Sequence, residues 1–456
     1  MKGHNYWSYA PYKPLDFDVG DPYICRVVPY LDSIHFEWLG NGKECEVFYR
    51  LRNEGEFISA GKTTANEFDI TGLEAERDYE FFASSGDGKS RIRLARTGHS
   101  VGVTVNYLHP EDNAYIFSGK YLASPSLVRH PDGYLLTSMD VFEGNAPQNF
   151  TMIFRSDDDG ESWHYVSELI PCFWGKLFIH RGELYMLSIS TDYGDLLIGK
   201  STDGGKTFTP PVALLRGAGG KKGRSGYHKN PQNIFEHNGR IYESLEWGTW
   251  DNKEYGHAAM VMSASVDADL LDPESWSFTP PKKFGHFAPE LEQLPMNTMT
   301  IEGTIVLSPE NKLYNVMRFG MEGKVIAYEI DQNDPEAPLE YSHLISLPTG
   351  YSKFMIKRDD VSGKYYSIVT RSGDNNPHFR NVLSLAVSDD MKDWEIATNL
   401  LDYGHCDHMK VGFQYVDFYF EGDDIIYLCR TGINEPHNYH DSNYQTFHRV
   451  KNFREL

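Results

Sequence analysis

Ser156-Asp157-Asp158-Asp159-Gly160-Glu161-Ser162-Trp163 recurs as Ser201-Thr202-Asp203-Gly204-Gly205-Lys206-Thr207-Phe208, and both stretches read S-x-D-x-G-x-[ST]-aromatic. A degenerate third copy is Ser388-Asp389-Asp390-Met391-Lys392-Asp393-Trp394. Short apolar runs precede the copies, Met152-Ile153-Phe154 before the first and Leu385-Ala386-Val387 before the third. That setting marks a tight β-hairpin turn. The Asp carboxylate can accept N–H groups of its own loop. The Gly supplies a backbone angle that other residues avoid, and the ring plugs between neighbouring sheets. Self-similarity of this kind implies stacked or radially arranged units.

Working outward, the same rhythm of strand, turn and strand fills the chain from about residue 100. Six first hairpins align, among them Pro125–Leu136, Leu177–Tyr185, Asn233–Tyr242, Thr304–Val316, Phe354–Tyr366 and Val416–Tyr427. They define six units of roughly fifty residues each, the spacing of propeller blades. The last unit lacks a strand, and the alternating apolar stretch Val101–Leu108 can supply it, removing exposed edges. Residues 22–97 instead carry seven short alternating runs separated by turn residues. The expected fold class is all-β. A six-bladed β-propeller (99–456) follows a small β-sandwich (22–98) and an N-terminal segment (1–21). A seventh blade would have to hide in 250–300.

At 456 residues the chain exceeds one ordinary core. The net charge of −22, with no basic run, argues against nucleic acid as a partner, but a locally basic site for a small anion remains compatible with it. Five scattered cysteines suggest no disulfide framework. No stretch approaches transmembrane length, so no membrane partner is expected. The N-terminus has no apolar signal core. With Met1 as the natural start the expectation is a cytoplasmic protein, or a secreted one if a signal segment has been removed.

In a propeller the repeated turns are structural and lie opposite the ligand face. The chemistry is sought where second strands end and first strands begin. Second strands end in Asp140, Glu246-Trp247, Arg318, Arg371 and Arg430. Three arginines at equivalent points of successive units imply a cationic cup for a carboxylate, because guanidinium matches carboxylate bidentately. The loops add Tyr227-His228-Lys229-Asn230, Asn381 after Arg380, and Gln414-Tyr415. His228, beside the Gly/Lys-rich loop Gly217–Arg224, is a candidate acid/base. His437, His440 and Asp441 share one loop as substrate contacts, and Trp247 and Trp250 form a candidate stacking wall. No cofactor is expected. The run His405-Cys406-Asp407-His408, alone or with His437 or His440, offers zinc-ligand residue types but matches no strong metal spacing.

Two resemblances rest on these residues. Thr71-Gly72-Leu73-Glu74-Ala75-Glu76-Arg77-Asp78-Tyr79 resembles the corner of fibronectin type III domains, with Trp38 as the core tryptophan of the second strand. From 100 to 456 the Asp-turns and the propeller rhythm resemble the sialidase superfamily. That resemblance makes Asp140 the acid/base, and it matches Ile301-Glu302-Gly303 and Met317-Arg318 to the family's glutamate and arginine. It makes Tyr415, in Gly412-Phe413-Gln414-Tyr415-Val416-Asp417, the nucleophile. Glu302 would draw its proton, since an unperturbed tyrosine pKa near 10 makes a poor nucleophile. The family opens its first blade with Arg-Ile-Pro, whereas Ala123-Ser124-Pro125 stands here, and Lys353 stands where another arginine is expected.

The expected function is an exo-acting glycoside hydrolase on a terminal acidic sugar of an oligosaccharide. Asp140, Glu302, Tyr415 and His228 are its catalytic candidates. Arg318, Arg371, Arg430, Lys229, Trp247, Gln414 and His440 are its substrate contacts. The alternatives are a lyase or hydrolase acting next to a uronic acid, like ulvan lyases or rhamnosyl-glucuronate-cleaving propellers, and a non-catalytic glycan-binding propeller.

Overall fold

A computed structural model describes residue 7 and residues 21–40, 42–86, 88–218, 224–250, 256–371, 376 and 378–456. The segment 1–21 therefore lies almost wholly outside the described residues, as do 219–223 of the Gly/Lys-rich loop. Among the described residues there is no α-helix. Three short 3-10 turns (Pro273–Ser275, Pro289–Leu291, Phe453–Glu455) punctuate an otherwise all-β chain.

Residues 23–96 form two antiparallel sheets. One orders Tyr23–Pro29, Ser33–Leu39 and Glu67–Thr71; the other orders Ile58–Thr63, Cys45–Leu51, Asp78–Ser84 and Arg93–Arg96. Strict alternation of buried and half-buried residues along Ser33–Leu39 and Asp78–Ser84 puts Ile34, Phe36, Trp38, Tyr79 and Phe81 into one shared core. The Tyr79 hydroxyl accepts the N–H of Glu74 at 2.9 Å, pinning the corner picked out in the sequence.

Six further antiparallel sheets follow. Sheet I comprises Tyr121–Arg129, Leu135–Phe142, Phe150–Ser156 and His164–Leu169. Sheet II comprises Phe173–His180, Glu183–Ile189, Leu196–Ser201 and Val212–Leu215. Sheet III is built on Arg240–Gly248, which pairs with both Gly226–His228 and Phe235–His237 on one side; Ala258–Ser265 and Trp276–Phe278 complete it. Sheet IV comprises Ile301–Leu307, Leu313–Arg318, Val325–Ile330 and Glu340–Ile345. Sheet V comprises Ile356–Arg358, Tyr365–Arg371, Val382–Ser388 and Glu395–Asp402. Sheet VI comprises Gly412–Glu421, Asp424–Gly432 and Tyr444–Val450, joined by Val103–Tyr107 from the other end of the segment. Val101–Leu108 thus supplies the strand that the last unit lacked. The stretch 276–300 contributes only Trp276–Phe278 and one 3-10 turn, so no seventh sheet lies there among the described residues.

The central strands are buried on both faces, which is why they read as nearly unbroken apolar runs rather than alternating ones. Successive sheets pack face to face, and Tyr121–Arg129 of sheet I packs on all three C-terminal strands of sheet VI. Polar groups cross between them. Leu177 N–H donates to Ser126 Oγ at 2.9 Å, Thr370 Oγ1 to Phe413 O at 3.1 Å, and Gln445 Nε2 to Thr137 Oγ1 at 3.0 Å. The repeated turns behave as the sequence implies. Asp158 Oδ1 accepts Ser162 N–H at 2.9 Å while Ser156 Oγ accepts Gly160 N–H at 2.8 Å, and Asp203 and Ser201 repeat both bonds. Trp163 is buried against Phe447 of sheet VI.

The N-terminal sheets dock on sheets I and VI through polar contacts. Arg26 Nε donates to Val105 O at 2.7 Å, and Tyr23 Oη donates to Glu168 Oε2 at 3.0 Å. Arg93 Nε meets Asp112 Oδ2 at 2.7 Å with both side chains sealed from solvent. Removing one partner of such a pair strands a buried charge, at a cost of about 3–5 kcal/mol. Asp112→Ala is therefore expected to lower the denaturation midpoint sharply, and the paired change Arg93→Met with Asp112→Leu to recover most of the loss. Equal loss in the single and double variants would contradict this account.

Candidate functional site

Four first strands share one irregularity. In sheets I, II, IV and VI one extra residue interrupts the register with the second strand. The residues carrying it, Ser124, Trp174, Glu302 and Tyr415, have φ of 47°, 48°, 57° and 56°. A bulge of this kind bends the strand and re-aims its side chain. A left-handed non-glycine residue costs about 1–3 kcal/mol, and such residues cluster at functional sites. Carboxylates hold two of the bulges from the preceding sheet. Asp140 Oδ2 accepts Trp174 N–H at 2.7 Å, and Glu246 Oε1 accepts Glu302 N–H at 2.9 Å.

The bulges of sheets IV and VI bring Glu302 and Tyr415 together. Tyr415 Oη donates to Glu302 Oε1 at 2.8 Å, and Arg318 Nε pairs with Glu302 Oε2. The guanidinium of Arg430 lies 5.0 Å from the Tyr415 ring centroid and 4.3 Å from that of Phe142. Arg380 lies 5.8 Å from the Tyr415 centroid. Arg318 and Arg380 both donate to Tyr351 O at 2.9 Å. Arg380 and Arg430 are 6% and 4% exposed, and the Nε of each lacks a hydrogen-bond partner. Burial tends to raise the Glu302 carboxyl, but Arg318 and its other cationic neighbours prevail and hold it below its ordinary range. Tyr415 is held above its ordinary value by burial and by the Glu302 charge, which outweigh the arginines. The pair is therefore a phenol on a carboxylate.

On the neighbouring side stands His228. It is the direct cross-strand partner of Glu246, and its Nδ1 contacts Glu246 Oε2. Glu246 thus grips His228 with one oxygen and the backbone of Glu302 with the other. Aromatic rings surround the imidazole: Trp174 at 4.0 Å between centroids, His257 at 4.9 Å, Trp250 at 5.6 Å and Tyr193 at 6.2 Å. Tyr193 Oη and His257 Nε2 are 2.9 Å apart. Burial, with His228 and Arg318 adding to it, keeps His257 neutral.

Several sequence-based assignments change. Asp140 has no solvent exposure, and its oxygens are engaged by Thr151 Oγ1 and Trp174 N–H. Burial pushes its pKa up to about 7, and through Oδ2 it clamps the backbone of Trp174. Arg371 is exposed, and its NH1 lies 3.3 Å from Asn399 Oδ1. Alternation turns Thr370 toward sheet VI and Arg371 away, and Arg380 takes the third place beside Tyr415. Trp247 turns from Glu246 in the same way and packs on Tyr227, whereas Trp250 lies against His228. Gln414 is buried, bonded to Tyr439 O, His440 O and Arg380, so it shapes the site without facing it. His440 does reach the margin, with its Nδ1 3.4 Å from Arg430 and 2.8 Å from Asp441. Among the described residues no three His, Cys, Asp or Glu side chains converge as a metal would require. Within the zinc-type run, His408 stacks on Phe379.

Lys229 is also enclosed. It belongs to a layer of lysines along the first strands. Its ammonium donates to Trp174 O and Asn230 O at 3.1 Å and lies 3.7 Å from Glu243. Lys353 donates to Pro231 O and Val416 O at 3.1 Å each. Lys176 pairs with Asp417 at 2.6 Å, and Lys357 donates to Phe418 O. These ammonium groups hold backbone carbonyls next to Trp174, His228 and Tyr415.

No known protein-family pattern matches the sequence, and no curated protein matches it. Solved structures do. The Trypanosoma rangeli sialidase aligns with a TM-score of 0.53 and 14% identity, over 78% of this chain and 60% of that one. The GH93 α-L-arabinofuranosidase of Fusarium graminearum aligns with 0.52 and 15%, over 78% and 98%. The Penicillium chrysogenum α-L-arabinanase aligns with 0.50 and 15%, over the same shares. All three are β-propeller enzymes, and at this identity the likeness is one of fold.

Burial pushes the Lys353 pKa down to about 8. A lysine depressed in the folded state contributes stability that is present above its ordinary pKa near 10.4 and is lost as pH falls through the folded value. The stability of Lys353→Met relative to the parent is thus expected to rise as pH drops from about 10.4 to below 8. Denaturant midpoints of both proteins across that window check it, and a constant difference would refute it.

Proposed function

We propose that the six sheets are the blades of a closed β-propeller. We further propose that the protein is an exo-acting glycoside hydrolase on a terminal acidic sugar of an oligosaccharide. The observation that carries this reading is the Tyr415–Glu302 hydrogen bond at 2.8 Å among Arg318, Arg380 and Arg430. The guanidinium groups would hold the sugar carboxylate. Tyr415 Oη would attack the anomeric carbon as Glu302 takes its proton. His228, buried beside Trp174 and oriented by Glu246, would protonate the departing oxygen. Water would then release the sugar from Tyr415, so two displacements retain the anomeric configuration.

A second reading is elimination next to a uronic acid, favoured by the His228–Glu246 pair beside a tyrosine. There the guanidiniums would neutralise the carboxylate and acidify the C5 proton. Elimination generates ultraviolet absorbance from a C4–C5 double bond, and hydrolysis does not.

A screen of aryl glycosides and uronate-ended oligosaccharides is expected to give turnover without that absorbance. Tyr415→Phe and Glu302→Gln should each reduce kcat by about 10²–10⁴-fold. Arg380→Ala should raise KM for the acidic substrate, while Arg371→Ala leaves it unchanged. Turnover that survives Tyr415→Phe would defeat the proposal.

A further inference from the structure

The site is polarised. Its cationic half lies on sheets IV to VI, where Arg318, Arg380 and Arg430 surround Tyr415. Its other half, between sheets II and III, is aromatic. Trp174 is thrown out of its strand by the bulge and stands 4.0 Å from His228, ring to ring. Trp250 follows the end of Arg240–Gly248 and packs edge-on against His228 and His257. Tyr193 closes the group behind His257.

Trp250 is 43% exposed, the one exposed tryptophan among the described residues. An indole held in place by its neighbours yet open on one side is a surface awaiting an apolar face, since leaving it wet forgoes the gain from burial. Among the described residues the ionisable groups against the indole are His257, which is neutral, and His228, which is paired with Glu246. The aromatic half therefore suits a neutral ring whose C–H face is apolar and whose hydroxyls point sideways. A pyranose sugar has that shape.

We infer that Trp250, with Trp174 beside it, forms the leaving-group subsite, so that the substrate is a two-part glycan: an acidic sugar over Tyr415 linked to a neutral pyranose over Trp250. This rests on the hydrolase reading above, because His228 stands between the two halves where the bridging oxygen would lie. It adds to that reading the identity of the departing unit, a neutral pyranose.

The test separates the two claims by measuring binding without turnover. The probes are the methyl glycosides of glucuronic acid and of N-acetylneuraminic acid, and the same two acids linked to glucose. Calorimetry is run on Tyr415→Phe and on Tyr415→Phe with Trp250→Ala. With the acid the site accepts, the glucose-linked probe should bind Tyr415→Phe about tenfold tighter than the methyl glycoside. Trp250→Ala should abolish that advantage and leave the methyl glycoside unchanged. A methyl glycoside that binds with no gain from glucose, or a gain that survives Trp250→Ala, overturns the subsite alone. No binding of either acid overturns the acidic-sugar reading and the subsite with it. In the active protein, Trp250→Ala should lower kcat/KM on the glucose-linked substrate about tenfold, yet leave the glycosyl fluoride of the same acid within twofold. Fluoride needs neither a stacked leaving group nor a proton donor.

Discussion

Everything at this site depends on one extra backbone residue per strand, inserted at the same point of four sheets and held left-handed. Without the bulges, Trp174, Glu302 and Tyr415 would alternate into the packing between sheets like their neighbours. With them, three side chains that the strand would bury are presented on one face. The strain does not persist unaided. Asp140 and Glu246 accept the N–H groups of Trp174 and Glu302, and Lys229 and Lys353 donate to the carbonyls of Trp174 and Val416. Carboxylate on one side and ammonium on the other fix the distorted peptides. This explains why so many charged side chains lie where no ligand can reach them.

That device also decides what was legible in the sequence. The fold was legible because it is local. Turn chemistry repeats in the octapeptides, and strands buried on both faces announce themselves as apolar runs. Even the pairing of Val103–Tyr107 with the last strand followed from a missing partner. At the candidate site, Arg318 and Arg430 could be picked out as strand ends, whereas Glu302 and Tyr415 were reached only through the resemblance to the sialidase superfamily. Asp140 and Arg371 occupy equally suggestive strand ends, but a one-residue change of face turns a ligand contact into a clamp or a solvated group. Trp174 carried no signal, since a bulge leaves no mark on composition. Arg380, Tyr193 and His257 come from loops or strand starts, and only the packing of neighbouring sheets brings them in. The Asn381 stretch did flag the loop holding Arg380, one residue from the group that matters.

The charge distribution runs against the whole. A chain with a net charge of −22 repels anions at long range. Yet three guanidiniums gather about the carboxylate of Glu302, with Asp441 near Arg430, and the lysines beneath them take Glu243 and Asp417 as their ion-pair partners. Burial lowers the Arg430 pKa to about 10, a measure of how poorly its charge is compensated. A carboxylate arriving between Arg380 and Arg430 would supply the missing partner at short range, where the protein's distant surface charges are screened. Selectivity for an anion is then a property of the cup alone.

In the proposed reaction, anion binding and tyrosine activation would be coupled through the same arginines. Arg318, Arg380 and Arg430 all favour ionised Tyr415, and burial with Glu302 still keeps it a phenol. In the proposed reaction a substrate carboxylate on those guanidiniums would weaken their pull on the phenol, so a preformed phenolate would become less accessible, not more. The proton would therefore leave Tyr415 for Glu302 as the new bond forms. That requires the carboxylate of Glu302 to be ionised and already in contact. Its 2.8 Å bond to the hydroxyl, the Arg318 pairing and the clamp of Glu246 on its backbone provide for that before any sugar arrives.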